Sequence, residues 1–306
     1  MLGGVALRLQ EYNQSYVIRD DVPVPIPQTG EVLVRIAASS FCHTDFQVIQ
    51  GVYKTKLPVT GSHEPTGTVA ALGEGVRGDW KVGDRYMVAP EDTLVTIPDT
   101  VSFEQAAPLM CAGVTVWNTI KQMGLKKGGS TGIVGIGGLG LLAIQFAKAV
   151  GYQVVAVDNR DIGLRLASEV PSHLKPDAIV KFGDEEAAKQ ISDLTRDIGL
   201  YGAVVCTDDV EASDWALHQL RLRGVCVVLG LPEQRYKFDA FNLVFRKIVV
   251  KGSIFTSVDE AQKMLEVIRR EGVHSHLTVL KLEEGEVIYD KVAAHDFDGR
   301  LVVTIY

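Results

Sequence analysis

The sequence has no run of basic residues to set against its formal net charge of −7, which argues against nucleic acid as its main partner. It has no long hydrophobic run either. The most apolar stretch, Gly132 to Ala147, is shorter than a membrane span and rich in glycine. Cysteine is scarce: Cys42, Cys111, Cys206 and Cys226 are too few and too scattered for the disulfide framework of a secreted domain. Met1 to Gln10 does not follow a charged-then-apolar signal pattern and carries Arg8 inside its apolar part. Internal repeats, low-complexity tracts and disordered linkers are missing too. The expectation from these absences is a cytoplasmic chain with reduced thiols, no membrane and no nucleic-acid partner.

What is present is glycine in a particular place. Ser130-Thr131-Gly132-Ile133-Val134-Gly135-Ile136-Gly137-Gly138-Leu139-Gly140 reads as a short buried strand turning through glycines into a helix. Leu141, Leu142, Ile144 and Phe146 continue it at helical spacing. Gly135, Gly137 and Gly140 match G-x-G-x-x-G. The first permits a tight turn, the second lets a pyrophosphate approach the backbone, and the third lets helix and strand pack closely. The helix N-terminus then offers unpaired N–H groups to phosphates. A second strand, Tyr152 to Val157, ends in Asp158, 18 residues after Gly140, where an acid can bind the two hydroxyls of an adenine ribose. The bland alternative is a tight strand–helix–strand turn with no ligand.

At 306 residues, 46% hydrophobic and 23% charged, the chain suggests two soluble domains. Up to about residue 115 it reads as mostly β, with short runs at Val5 to Leu9, Tyr16 to Arg19, Val32 to Ile36 and Gly67 to Leu72. From about Val116 to Phe255 strands alternate with helices. Ala203 to Cys206, Val225 to Leu229 and Ile248 to Val250 read as further buried strands, Ala187 to Arg196 and Ala212 to Leu222 as helices. The acidic run Asp184-Glu185-Glu186 reads as a helix start. This grammar implies an α/β fold with a doubly wound parallel sheet. The tail from Ser257 carries one amphipathic helix and then short strands ending at Tyr306.

The first part also holds Phe41-Cys42-His43-Thr44-Asp45, Gly61-Ser62-His63-Glu64-Pro65 and Leu109-Met110-Cys111-Ala112-Gly113. A catalytic zinc wants three soft or borderline ligands and one open position, and Cys42, His63 and Cys111 would supply two thiolates and an imidazole. They lie 21 and 48 residues apart, so spacing alone does not assemble them. Two core cysteines and a satisfied histidine is the default for an arbitrary protein.

The company those residues keep is what decides. Gly30-Glu31-Val32-Leu33-Val34, Cys42-His43-Thr44-Asp45, Gly61-Ser62-His63-Glu64, Val82-Gly83-Asp84-Arg85, Cys111-Ala112-Gly113-Val114-Thr115, the glycine turn and Gly299-Arg300 follow one another as in the zinc-dependent medium-chain dehydrogenase/reductase superfamily. The chain resembles its alcohol dehydrogenase group, nearest in flavour to fungal and yeast-type enzymes. The resemblance implies a Rossmann sheet plus a GroES-like catalytic domain, divided as 1–115, 116–255 and a C-terminal return over 256–306. It implies one catalytic zinc on Cys42, His63 and Cys111. Asp45 would then accept the second N–H of His63, Glu64 would stand behind the metal, and Thr44 would begin a proton path. NAD(H) would lie on Gly135, Gly137, Gly138, Leu139 and Gly140, with Asp158 at the ribose, Thr115 near the nicotinamide, and His43 and Arg300 at the pyrophosphate. The activity implied is hydride transfer between an alcohol and an aldehyde or ketone, zinc stabilising the alkoxide.

Three departures from that pattern stand out. The family usually carries a second zinc in a four-cysteine lobe soon after the Gly-Asp-Arg turn. Here Val82-Gly83-Asp84-Arg85 runs straight into Tyr86-Met87-Val88-Ala89-Pro90, which resembles the strand after that lobe, and no cysteine lies between Cys42 and Cys111. Many relatives place a relay histidine where this chain has Gln47, and an amide cannot take a net proton. The basic residue expected after the ribose acid is displaced, leaving Arg160 and Arg165 as candidates; Asp158 would repel a 2′-phosphate, so NAD(H) is favoured. Tyr53 falls where relatives line the substrate pocket, with core packing as the alternative. Other readings are a zinc-free quinone or enoyl reductase of the same superfamily, or a non-catalytic nucleotide-binding relative. Ile248 to Phe255 would be an edge strand through which two subunits pair, giving a homodimer or homotetramer.

Overall fold

The computed structural model describes residues 3–87 and 94–305. Val88, Ala89 and Pro90, read from sequence as continuing the strand after the Gly-Asp-Arg turn, lie outside the described residues, as does Tyr306. The chain divides into two compact units. One holds the described residues up to Cys111, Ser257–Leu265 and those from Leu277 onward; the other holds Ala112–Thr256 and Glu266–His276.

The first unit is built on a six-stranded sheet in the order Leu277–Lys281, Arg300–Thr304, Val32–Phe41, Glu64–Leu72, Arg85–Met87 and Val95–Thr96. Its first pair is parallel and the rest are antiparallel. A smaller sheet sets Val17–Pro23, Gly3–Leu9 and Val59–Thr60 side by side. Leu9, Tyr16, Phe41, Ile49, Leu301 and Val303 are buried together as its core. Two strands run further than their apolar alternation indicates. The Val32 strand continues through Ser39 and Ser40 to Phe41, and its partner begins at Glu64 rather than Gly67. Register sets Ser40 opposite Glu64 and Ser39 opposite Pro65. These polar extensions carry the chain into the site. The helix His43–Ile49, in the stretch read as mostly β, follows at once.

The second unit is a six-stranded sheet, parallel throughout, in the order Ala178–Lys181, Gln153–Asp158, Ser130–Val134, Leu200–Val205, Leu220–Val228 and Val249–Gly252. The strand order reverses next to Ser130–Val134, which places the crevice of a doubly wound sheet beyond that strand's carboxyl end. The helix Gly138–Ala149 that follows is buried continuously from Gly140 to Ala147, as its nearly unbroken apolar sequence requires. Three expectations need correcting here. The helix placed at Ala212 to Leu222 is Val210–His218, and by Leu220 the chain is already a strand paired with Leu200. The alternation of Leu220, Arg221, Leu222 and Arg223 is a period-two pattern, which outweighs helical propensity there. The last strand spans only Val249–Gly252 rather than Ile248 to Phe255. The acidic run precedes its helix, which starts at Ala187. Cys226 lies in the core, whereas Cys206 sits just past its strand and is half-buried. Among the described residues no helix is long and apolar enough to cross a membrane.

Candidate functional site

In the first unit the strand Val32–Phe41 delivers Cys42 to the start of the helix His43–Ile49. The backbone N–H of Cys42 donates to Asp45 Oδ2 at 2.8 Å, so the carboxylate caps the helix from its first turn. The other oxygen, Oδ1, lies 3.0 Å from Nδ1 of His63. A buried carboxylate in that position accepts a hydrogen bond from Nδ1–H and so favours the tautomer whose lone pair is on Nε2. Ligand atoms of Cys42, His63, Glu64 and Cys111 all lie within 4.8 Å of one another. Cys111 reaches the cluster from the end of a 3₁₀ turn, Ala107–Met110, whose four residues are all buried.

The electrostatics of the cluster are those of a place built for a cation. Burial lowers the proton affinity of His63, but hydrogen bonds to Asp45 and Cys42 outweigh it and raise the imidazole to about 10. The Cys111 thiol hydrogen-bonds to the Cys42 sulfur, which lowers Cys42 strongly and raises Cys111. Burial pushes Glu64 up to about 7 in spite of Arg300, whose guanidinium pairs with its Oε2. Arg300 Nη2 also donates to Ser40 Oγ at 3.0 Å. Glu64 Oε1 and Arg300 Nε remain buried without a hydrogen-bond partner. An orphan carboxylate oxygen beside two sulfurs and an imidazole is what a divalent cation would satisfy, and the donor set suits zinc. Arg300, expected at a cofactor pyrophosphate, is buried here against Glu64.

The neighbouring polar residues are more open. His43 is exposed and Thr44 half-buried in the first turn after Cys42. Tyr53 is 52% exposed, so it is no core residue, and its hydroxyl donates to Gln47 Oε1 at 2.8 Å. The sequence singles out both residues without predicting that they bond.

In the second unit the glycine turn has the shape its spacing demands. Gly135 has φ +89°, and a side chain there would also meet Thr207. A Cβ on Gly140 would overlap the Gly135 carbonyl oxygen, whereas one on Gly137 would stand in open space. Gly137 caps the helix that begins Gly138, Leu139 and Gly140. The space over Gly137, at a helix N-terminus, is the cradle a diphosphate would fill. Asp158 closes the following strand, buried, and accepts from the N–H of Ile136 at 2.6 Å and of Arg160 at 2.8 Å. The Arg160 guanidinium adds bonds to both carboxylate oxygens at 3.1 and 2.9 Å. Burial raises the Asp158 carboxyl, but these donors outweigh it and hold it below the usual range. Thr115 Oγ1 accepts from the N–H of Phe255 at 3.3 Å.

A GroES-like β unit with a Cys-His-Glu-Cys cluster and a parallel sheet with a dinucleotide turn define the class to which comparisons point. The Alcohol dehydrogenase GroES-like domain family matches residues 28–140, and the Zinc-binding dehydrogenase family matches 138–270. An alcohol dehydrogenase of Geobacillus stearothermophilus is 33% identical over 93% of this chain and 95% of its own length. One of Rhizobium meliloti is 30% identical over 97% of each. The alcohol dehydrogenase of the archaeon Aeropyrum pernix has a similar structure, with a TM-score of 0.85 and 25% identity over 98% of this chain and all of that one. The chain belongs to the zinc-type medium-chain dehydrogenase/reductase superfamily, with the alcohol dehydrogenases. Its alignment to the Geobacillus enzyme runs over 327 positions, more than its own 306 residues, so that relative holds segments with no counterpart here.

Proposed function

We propose that this chain oxidises a small alcohol, or reduces the matching aldehyde or ketone, with NAD(H) and one zinc ion held by Cys42, His63 and Cys111. The observation that carries the reading is the cluster of those three side chains, with Asp45 on the far nitrogen of His63. When bound, zinc supplies Lewis-acid polarisation of the alcohol oxygen and the nicotinamide supplies the hydride carrier. The protein's own work is positioning. Asp45 keeps the proton on Nδ1 of His63 and thereby keeps Nε2 available. Arg300 holds Glu64 back as a reserve ligand beside the thiolates. The Thr44 hydroxyl is assigned to receive the proton of the alcohol. Gln47, already accepting from Tyr53, passes no net proton on, so the path continues through water or the cofactor ribose alone. Tyr53 is assigned to the substrate pocket, and His43 to the pyrophosphate. In domain terms, 1–115 with 256–306 is assigned to catalysis and 116–255 to the nucleotide.

Asp158 is assigned to the adenine ribose, where the two hydroxyls would take the places that the Arg160 guanidinium now holds. A 2′-phosphate there would meet a buried carboxylate, so NADH should bind more tightly than NADPH. Asp158→Ser should erode that preference, and tighter binding of NADPH by the unaltered chain would refute the assignment.

Metal analysis with an alcohol-oxidation assay tests the whole reading. One zinc per chain is expected. Cys42→Ala and Cys111→Ala should each abolish turnover while nucleotide binding persists. Full activity in a metal-free preparation would favour a zinc-free reductase instead.

A further inference from the structure

We propose that Ser62 is a positioning residue of the metal centre, its hydroxyl locking the turn that presents His63 and Glu64. The inference rests on the zinc reading above. Ser62 has φ +72°, in the left-handed region that favours glycine. A serine stays there only where its surroundings over-determine it. Here they do. The Ser39 hydroxyl donates to Ser62 Oγ at 2.8 Å, and the Glu64 N–H donates to the same oxygen at 3.1 Å. Ser62 Oγ in turn donates to the Ser40 carbonyl at 2.7 Å. One donor and two acceptor positions are all that a hydroxyl has, and all are used.

These bonds belong to a closed circuit. Ser62 holds the Ser40 carbonyl, Ser40 Oγ receives Arg300, Arg300 pairs with Glu64, and the Glu64 N–H returns to Ser62. Ser39 and Ser40 lie on the strand that ends just before Cys42, while Ser62 immediately precedes His63. One hydroxyl therefore ties the segment carrying the first thiolate to the turn carrying the imidazole and the carboxylate. Asp45 fixes the orientation of the His63 ring; Ser62 fixes the backbone from which that ring hangs. Without the hydroxyl, the left-handed turn would lose its anchor on the neighbouring strand, and the two ligand-bearing segments their fixed separation.

Ser62→Gly separates positioning from folding, because glycine is at ease at φ +72°. The metal-free variant should melt close to the parent. Its zinc affinity, measured by competition with a chelator, should fall about 10- to 100-fold, the usual effect of losing an outer partner of a metal ligand. The absorption bands of the cobalt-substituted protein should shift as well. Ser39→Ala, which removes only one donor to Ser62 Oγ, should show a smaller loss in the same direction. Parental zinc affinity and an unchanged cobalt spectrum in both variants would overturn the inference while leaving the zinc reading intact. A parent chain that takes up no zinc in the same titration would overturn that reading first, and this inference with it.

Discussion

The four cysteines occupy sharply different environments, and their chemistry should separate accordingly. Burial pushes the thiols of Cys206 and Cys226 up to about 12, so neither offers thiolate near neutral pH. Cys42 and Cys111 share a hydrogen bond that lowers the former. In the folded, metal-stripped protein at pH 8, iodoacetamide should therefore modify the Cys42–Cys111 pair and spare the other two. Peptide mapping that finds Cys226 alkylated before that pair would contradict this. Arg300 and Glu64 give a second test. Arg300→Met would leave a buried carboxylate alone, at a cost of about 3–5 kcal/mol in denaturant unfolding, and adding Glu64→Gln should recover part of it. A full-size loss in the double variant would show that the charge pairing is not the issue. At this scale the sequence is legible in its residue types but not in its pairings. Two cysteines and a histidine point to a metal only through the motifs around them, since their spacing alone does not assemble a site. That Arg300 reaches back 236 positions to Glu64 follows only from the strand register. The left-handed turn at Ser62 is a backbone property that no side-chain pattern records.

At the scale of elements, the strand–turn–helix from Ser130 to Ala149 was readable because three constraints coincide there. Buried apolar runs flank the glycines, an acid closes the next strand, and each glycine has a separate steric reason. Those reasons make distinct predictions. Gly140→Ala would drive a methyl into the Gly135 carbonyl and should lower stability by about 1–3 kcal/mol, read from the unfolding midpoint. Gly137→Ala meets nothing in the empty protein, so its melting temperature should hold while NADH fluorescence titration shows weakened binding. Equal stability losses in both would mean that the two glycines are not doing different work. Boundaries were harder to read. Around residue 219 a helix passes into a strand with no glycine or proline to mark the change; Gln219 is still in the right-handed helical region when the strand starts at Leu220. The helix Ala240–Arg246 is hard to read because it spans only seven residues; Phe241, Val244 and Phe245 do recur at helical spacing, but none of its residues is buried.

On the scale of the whole molecule, that helix and the final strand pose one question: what covers them. Val249–Gly252 ends the parallel sheet, with one side of its backbone unpaired by any described strand, and Val249 is 49% exposed. In the same unit Phe241 and Phe245 are 65% and 67% exposed, their rings 4.4 Å apart. An apolar edge and an aromatic pair left in water favour association, and a two-fold axis lets one surface cover itself on both subunits. Shortening the strand to four residues weakens backbone pairing as the sole contact, which shifts weight onto the aromatic side chains. We therefore expect a scattering mass of at least twice 33.3 kDa at micromolar concentration, a tetramer being two such pairs. Phe241→Glu with Phe245→Glu should release a folded monomer, because neither ring helps to fill the core of its own subunit. Val249→Lys alone should weaken the pair without disturbing the sheet, since charge on an edge strand opposes pairing but not the fold. An unaltered, active protein running at the mass of one chain would show that the edge and the ring pair tolerate water. Both variants keeping the parental mass would place the contact on another face.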